Sequence, residues 1–363
     1  MPVLDIVAHR LYNQQLERPR LHTPNEVVAW LGAVQAQDYA GAKWALGQRL
    51  KGVTDADIEQ AFTEGKILRT HVMRPTWHFV TPEDIRWLLE LTASRVNAVN
   101  GTMYRKLELD EALFLRTNDA IIKALQGGRH LTRTELAGVL EQAGIIAEGM
   151  RLGYIVHRAE LDGIVCSGPR RGKQFTYMLL DERAPQARTL DHETALAELT
   201  RRFFTSHGPA TVQDFAWWSG LTIADVKAGL AMAKPQLVEE TINGKTYWLD
   251  SSVPTVDLGS PKAFLLPPYD EYAIAYRDHS AVLDLRYAEQ AKNTIFNGVM
   301  VIDGQVLGNW KRTFTKGAVV IESAPFRPLT AAEQGALAAA VRRFGEFLDL
   351  PVILPAEWER LES

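Results

Sequence analysis

Apolar residues recur at helical spacing in some stretches of the chain and alternate with polar residues in others. In its first eighty residues, these patterns predict helices over 4–14, 24–34 and 55–64 and a β-hairpin of strands 67–73 and 76–80. Pro75 fits the hairpin turn, because its fixed φ suits a turn and it has no N–H to donate to a ladder. A further helix over residues 82–97 is predicted to connect this segment to the next.

The same order of helices and a hairpin recurs twice more. The predicted helices span 118–125, 132–143, 148–161, 191–207, 211–219 and 222–232, and the predicted strands span 164–168, 174–180, 237–242 and 245–249. Thr132 and Glu135 form a capping-box pattern. Asn243-Gly244 is typical of a two-residue type I′ hairpin turn. Three helices followed by a hairpin are typical of the winged-helix module, so the chain is predicted to contain three such units.

The last third of the chain has a different pattern. Short apolar runs separated by Gly and Pro lie at 264–266, 298–302, 306–310 and 318–322. They predict a small antiparallel barrel or sandwich, closed by a helix over 329–348. The expected fold is therefore α+β, with three tandem winged-helix units and a C-terminal β-barrel. The expected boundaries are 1–108, 109–188, 189–255 and 256–363.

Composition narrows the class of protein. The 363 residues include 46% hydrophobic and 23% charged residues, which is typical of a globular protein. With a net charge of −4, a DNA-binding protein must concentrate its cations locally. Cys166 is the one cysteine, which excludes an internal disulfide and a cysteine-based zinc site. No signal peptide or membrane span is predicted, so we expect a cytoplasmic protein without membrane partners that is preferentially monomeric.

The tripeptide Gln35-Ala36-Gln37 is the leading candidate for chemistry. In a helix, positions i and i+2 point about 200° apart, whereas in an extended backbone they lie on one side. We therefore place Gln35 at the end of a helix and Gln37 just beyond it, where both amides can address one water molecule. The alternative is a pair of helix-end amides that only satisfy backbone groups.

Clusters of cationic and polar residues predict where DNA binds. The candidate contacts are Lys66, Arg69, His71, Arg74, Thr76 and His78 in the first hairpin, Arg170, Arg171 and Lys173 in the second, and Lys311 and Arg312 in the β region. In an extended strand, Arg69 and His71 share one face. We expect these residues to set affinity and salt dependence with little sequence readout. His71 and His78 fit a structural role equally well, and the second cluster also fits a solvated turn.

Two further pairs are predicted to be structural. Neighbouring carboxylates at Asp270-Glu271 point in different directions, so we expect ion pairs with Arg277 or Arg286 rather than acid–base catalysis. Trp217 and Trp218 cannot both face one side of a helix. We expect one in the core and the other at a domain contact.

Four segments resemble one known family. They are LGAVQAQDYAGAKWALG, RTHVMRPTWHFVTPEDIRWLL, AFLLPPYDEYAIAYRD and GQVLGNWKR. Together they resemble the AlkZ-like winged-helix DNA glycosylases, which carry a QxQ or QxD motif. Ala40 departs from the family pattern, which favours proline there. The resemblance implies a C-shaped arrangement around DNA and excision of bulky N7-alkylated purines. It also matches Gln35 and Gln37 to the catalytic pair and residues 69–79 to a hairpin near the lesion.

The chemistry is consistent with two neutral amides. An N7-alkylpurine already carries a positive charge, so the base departs without a protein acid. The protein then needs only to position water and stabilise an oxocarbenium-like centre with preorganised dipoles. We therefore predict a monofunctional glycosylase that acts on duplex DNA without a metal or other cofactor. The alternatives are a winged-helix regulator without catalytic activity, which should dimerise, and a protein-binding scaffold.

Overall fold

Residues 4–252, 262–292 and 296–354 are described by a computed structural model of the chain. Three stretches repeat one order of elements: a helix, a short extended segment, two helices and a β-hairpin. No helix in the described ranges is long and apolar enough to cross a membrane.

The first copy contains the tripeptide Gln35-Ala36-Gln37, the QAQ motif. Its elements, with the preceding α1, are α1 (Ile6–Asn13), α2 (Pro24–Leu31), β1 (Val34–Gln35), α3 (Tyr39–Gly47), α4 (Asp55–Thr63), β2 (Leu68–His71) and β3 (Trp77–Val80). The sheet order is β1-β3-β2. The helix predicted to reach residue 34 ends at Leu31, because Gly32 takes a φ of +81° that helices do not tolerate.

The second copy follows a long connecting helix. The elements are α5 (Ile85–Lys106), α6 (Glu111–Leu125), β4 (Leu131–Thr132), α7 (Arg133–Gln142), α8 (Gly149–Leu161), β5 (Val165–Ser167), β6 (Thr176–Leu179) and α9 (Leu180–Arg183). The Thr132–Glu135 capping box is confirmed at the start of α7. The sheet order β4-β6-β5 repeats that of the first copy.

In the third copy, an isolated bridge between Ala210 and Trp248 stands where the other copies have a first strand. Its elements are α10 (His192–Ser206), α11 (Val212–Ser219), α12 (Ile223–Ala233), a 3₁₀ turn (Lys234–Gln236), β7 (Leu237–Ile242) and β8 (Lys245–Asp250). Asn243 and Gly244 both have positive φ, at 52° and 74°, as a type I′ turn requires.

The C-terminal part forms one five-stranded sheet. Its elements are β9 (Ala263–Leu266), α13 (Glu271–Ile274), a 3₁₀ turn (Leu285–Tyr287), β10 (Gly298–Ile302), β11 (Gln305–Thr315), β12 (Ala318–Pro325), α14 (Ala331–Leu348) and β13 (Val352–Ile353). The order is β13-β12-β11-β10-β9, with β13 parallel to β12. Across the described residues, no hydrogen-bonded pairing joins the edge strands β13 and β9, so a five-stranded sheet stands where the sequence predicted a small antiparallel barrel or sandwich. Helix α14 buries an apolar stripe that includes Leu337, Val341 and Phe344, so the sheet gains cover without closing.

Two apolar cores tie the first copy to distant parts of the chain. Trp44 and Phe79 share one core with Trp310 and Phe344 of the C-terminal region. Helix α5 and the third copy share another core, in which Trp87, Phe203 and Trp218 are buried. Val34 and Ala36, which flank Gln35, lie in the first of these cores, and Ala33 lies in the second.

Candidate active site

Gln35 and Gln37 lie in different environments at the start of the candidate site. Gln35 ends β1, pairs with His78 of β3 and is 6% exposed. The chain bends after Ala36, and Gln37 is exposed and hydrogen-bonded to none of the described residues. The predicted helix-end position of Gln35 is wrong, because α2 ends before Gly32 and a short strand intervenes. Asp38 then caps α3, with its carboxylate 3.2 Å from the N–H of Gly41.

Gln35 is held from both its main chain and its side chain. Its backbone N–H donates to Oε1 of Glu271 at 2.8 Å. Its side-chain Oε1 accepts from Nη2 of Arg74, also at 2.8 Å. A carbonyl oxygen has two lone pairs, so the Gln35 oxygen keeps one acceptor position while its orientation is fixed.

Glu271 is a buried carboxylate with several donors around it. Besides the Gln35 N–H, it accepts from Nε1 of Trp218 at 2.8 Å, and Nε2 of His207 lies 3.5 Å away. Burial alone would raise the pKa of Glu271, but His207, the Gln35 N–H and the Arg74 charge outweigh it and lower the pKa to about 2. Glu271 is therefore ionised throughout the physiological range.

Arg74 connects Gln35 to the third copy. Its Nη2 is 3.4 Å from Nε2 of His78, and its Nη1 donates to the carbonyl of Trp217 at 3.4 Å. Burial, helped by Arg74, lowers the pKa of His78 to about 3, so this imidazole is neutral. Because Nδ1 of His78 faces the Thr76 carbonyl at 2.9 Å, Nδ1 carries the proton and Nε2 is the acceptor for Arg74.

Residues with unusual backbone conformations precede both Arg74 and Glu271 in the chain. Met73, before Arg74, has φ 63°, and Tyr269, before the Asp270-Glu271 pair, has φ 64°. Such left-handed conformations are uncommon for large side chains and cluster at functional sites. Gly220 ends α11 with φ 72°, and a Cβ there would lie 2.4 Å from the Met73 carbonyl, so glycine allows α11 to approach the hairpin turn.

Three predicted DNA contacts are interior residues instead. Arg69 is 7% exposed, lies between the rings of Trp77 and Phe175 at 4.3 and 4.5 Å, and donates to the Ala36 carbonyl at 3.1 Å. His71 is hydrogen-bonded to Glu160 and stacks on His157 at 3.8 Å. His78 is fully buried. Since the second copy covers one face of the hairpin, these side chains support it from within.

The remaining predicted DNA contacts differ in whether their side chains are exposed and already paired within the protein. Four of them are ion-paired: Lys66, Arg170, Arg171 and Arg312 lie 2.7, 3.0, 2.7 and 3.5 Å from Glu64, Glu59, Glu135 and Asp38, respectively. The hydroxyl of Thr76 is buried and has no hydrogen-bond partner among the described residues. Lys173 and Lys311 are exposed and have no ion-pair partner among the described residues. Because Asp38 follows Gln37, its contact with Arg312 places strand β11 beside the exposed glutamine.

The sequence did not predict the partners of Asp270 and Glu271. Asp270 forms a bidentate pair with Arg49, with both distances 2.8 Å, so the predicted pairing with Arg277 or Arg286 is wrong. Arg286 pairs with Asp284 instead. Glu271 and Trp218 belong to the site, but they are distant in sequence from Gln35, and no local pattern signals the contact. Among the described residues, no group of three His, Cys, Asp or Glu side chains is arranged to hold a metal ion.

The geometry belongs to a known class of protein. Residues 28–347 match the family described as DNA glycosylase AlkZ-like, so the chain belongs to that family. A curated relative, the interstrand DNA cross-link repair glycosylase of Streptomyces sahachiroi, is 24% identical over 332 residues, which is 84% of this chain and 86% of the relative. The solved structure of Streptomyces sahachiroi DNA glycosylase AlkZ matches with a TM-score of 0.80 over 97% of this chain and 98% of that chain. At 19% identity, this match shows a shared fold.

Proposed function

We propose that the protein is a monofunctional DNA glycosylase that hydrolyses the N-glycosidic bond of bulky or N7-alkylated purines in duplex DNA. The observation that carries the proposal is the restrained Gln35, whose backbone N–H donates to Glu271 at 2.8 Å and whose carboxamide oxygen accepts from Arg74 at 2.8 Å. The exposed Gln37 lies two residues further on. Membership of the AlkZ-like family supports the reaction class.

In the proposed reaction, Gln35 and Gln37 position one water molecule. The free lone pair of the Gln35 carbonyl oxygen and the carbonyl oxygen of the Gln37 side chain accept hydrogen bonds from the water and aim its oxygen at the sugar. The water oxygen bonds to C1′ as the bond from C1′ to the purine nitrogen breaks. The electron pair of the broken bond stays on the purine nitrogen and neutralises the positive charge of the base. The proton of the water passes to solvent. The fixed carboxamide dipole of Gln35 stabilises the oxocarbenium-like sugar without reorganising during the reaction.

We further propose a substrate range that includes interstrand cross-links. A relative that aligns with most of the chain is named an interstrand DNA cross-link repair glycosylase. The exposure of Gln37 suits a lesion that stays partly outside the protein, because a base tethered to the opposite strand cannot enter a deep pocket. The biological role would be alkylation repair or resistance to a self-made genotoxin.

The helix-strand-helix-helix-hairpin copies support three winged-helix units within residues 1–108, 109–188 and 189–255. We propose that these units act on duplex DNA as a monomer. Residues 256–363 would add the β region. Of the predicted phosphate contacts, Lys173 and Lys311 are the two whose ammonium groups are free among the described residues.

The proposal is tested with duplexes that each carry one N7-methyl, N7-mustard or interstrand N7 cross-link adduct. The protein is expected to release the base and leave an abasic site, which alkali or an abasic-site nuclease converts to a strand break. Tight binding to these duplexes without base release would instead favour the non-catalytic winged-helix regulator.

A further inference from the structure

Helix α11 presents two consecutive tryptophans in opposite environments. Trp218 is fully buried and donates to Glu271. Trp217 is 45% exposed, and no aromatic ring of the described residues packs against its indole. The other tryptophans of the described part of the chain are buried or half-buried. A large apolar ring is therefore left open beside the candidate site.

The indole of Trp217 is restrained rather than mobile. Its Nε1 donates to the carbonyl of Ile274 at 2.9 Å, and its own carbonyl accepts from Arg74 at 3.4 Å. Ile274 ends the short helix that begins with Glu271. Trp217 is thus connected to the two residues that hold Gln35, and its ring orientation is set before a ligand arrives.

Cations lie around the same helix. Arg95 is exposed and donates to the carbonyl of Gly220 at 3.3 Å, just after the end of α11. The backbone of Arg277 donates to Asp214 in the first turn of α11, and its side chain is exposed. Neither arginine has an ion-pair partner within the described residues. An open aromatic face among cations is a common arrangement for binding a nucleic-acid strand through its bases and phosphates.

We propose that Trp217 packs its indole face against the alkylated purine and so helps to select it. This inference rests on the proposed function. An N7-alkylpurine is flat and positively charged, and indole is the aromatic side chain that attracts cations most strongly. An unmodified purine offers the same flat surface without the charge. Trp217 would therefore favour the lesion over an intact base, in addition to the contribution of the two glutamines to hydrolysis.

The test compares Trp217→Leu with Trp217→Phe. Both substitutions remove the hydrogen bond to Ile274, but only phenylalanine keeps an aromatic face. Ile223→Ala, at a residue that is 41% exposed on the neighbouring helix α12, is the surface control. The measurements are kcat/KM for release of 7-methylguanine from a duplex carrying one lesion, and the affinity of each protein for the undamaged duplex.

We expect Trp217→Leu to lower kcat/KM about tenfold, as one lost base–aromatic stack should. Trp217→Phe should stay within about threefold of wild type, and both variants should bind undamaged DNA with wild-type affinity. Equal kcat/KM values for the Leu and Phe variants would overturn the inference, as would a loss that parallels weaker binding of undamaged DNA. If wild type releases bases and Trp217→Leu matches it, only this inference fails. A wild-type protein that releases no base refutes the proposed function, and the inference with it.

Discussion

The Glu271→Gln substitution should separate the positioning of Gln35 from DNA binding. A glutamine side chain can still accept the Gln35 N–H with its oxygen, but its NH₂ group then faces Nε1 of Trp218, which is also a donor. One buried donor thereby loses its partner, at a cost of about 1–3 kcal/mol. The Arg74 charge also loses a buried counter-charge. We therefore expect the free energy of unfolding to fall by roughly 3 kcal/mol, since removing one member of a buried charge pair costs about 3–5 kcal/mol.

The effect on catalysis should exceed what destabilisation explains. The neutral amide of the variant can offer its one oxygen to the Gln35 N–H or to Nε1 of Trp218 but not to both, so one of the two restraints on Gln35 is weakened. A displacement of about 1 Å can slow a reaction about 100-fold. We expect single-turnover base release to fall by about that factor in the folded variant, with unchanged affinity for the lesion duplex.

Asp270→Asn is a matched control for this prediction. Asp270 is also buried and forms its bidentate pair with Arg49, and it makes no direct contact with Gln35. The control should lose comparable stability and keep a release rate within a few-fold of wild type at a temperature where both variants are folded. Equal losses of activity in Glu271→Gln and Asp270→Asn, or a wild-type rate for Glu271→Gln, would refute the reasoning.

Two further predictions concern pH and salt. Burial lowers the pKa of His78 to about 3 and that of His157 to about 2, so the unfolded chain binds protons first as pH falls below its histidine pKa of about 6.5. The free energy of unfolding should therefore fall as the pH drops from 6.5 towards about 3, and the two histidines together should account for a loss of about 4 kcal/mol by pH 5. In urea titrations, the free energy of unfolding of the double variant His78→Gln/His157→Gln should depend less on pH. Replacing both Lys173 and Lys311 with glutamine should make the plot of log DNA-binding constant against log salt concentration less steep, by about 1.8. Lys66→Gln should leave this slope unchanged. Equal slopes for wild type, the double variant and Lys66→Gln would exclude Lys173 and Lys311 from phosphate contact.

Local sequence signals predicted most of the helices and hairpins. The Thr132–Glu135 cap and the Asn243-Gly244 turn depend only on residues close together in sequence, so the local sequence is enough to predict them. Helix α3 was not predicted, because it is recognisable only from its surroundings in the folded protein. Most of its side chains, including Lys43, are buried, so it lacks the polar face that makes a surface helix recognisable.

The candidate site was predictable in its centre and not in its surroundings. The QAQ motif and its flanking residues identified Gln35 and Gln37, but the burial of Arg69 depends on Phe175 of another unit. The role of Glu271 likewise depends on a contact between residues far apart in sequence. Such contacts follow from how the units pack, and neither periodicity nor charge along the chain encodes that packing.

The proposed hydrolysis depends most on the two glutamines, and single-turnover release of 7-methylguanine tests them most directly. Gln35→Ala and Gln37→Ala should each reduce release to the spontaneous rate while affinity for the lesion duplex stays within a few-fold of wild type. Release at the wild-type rate by both variants would contradict the central claim.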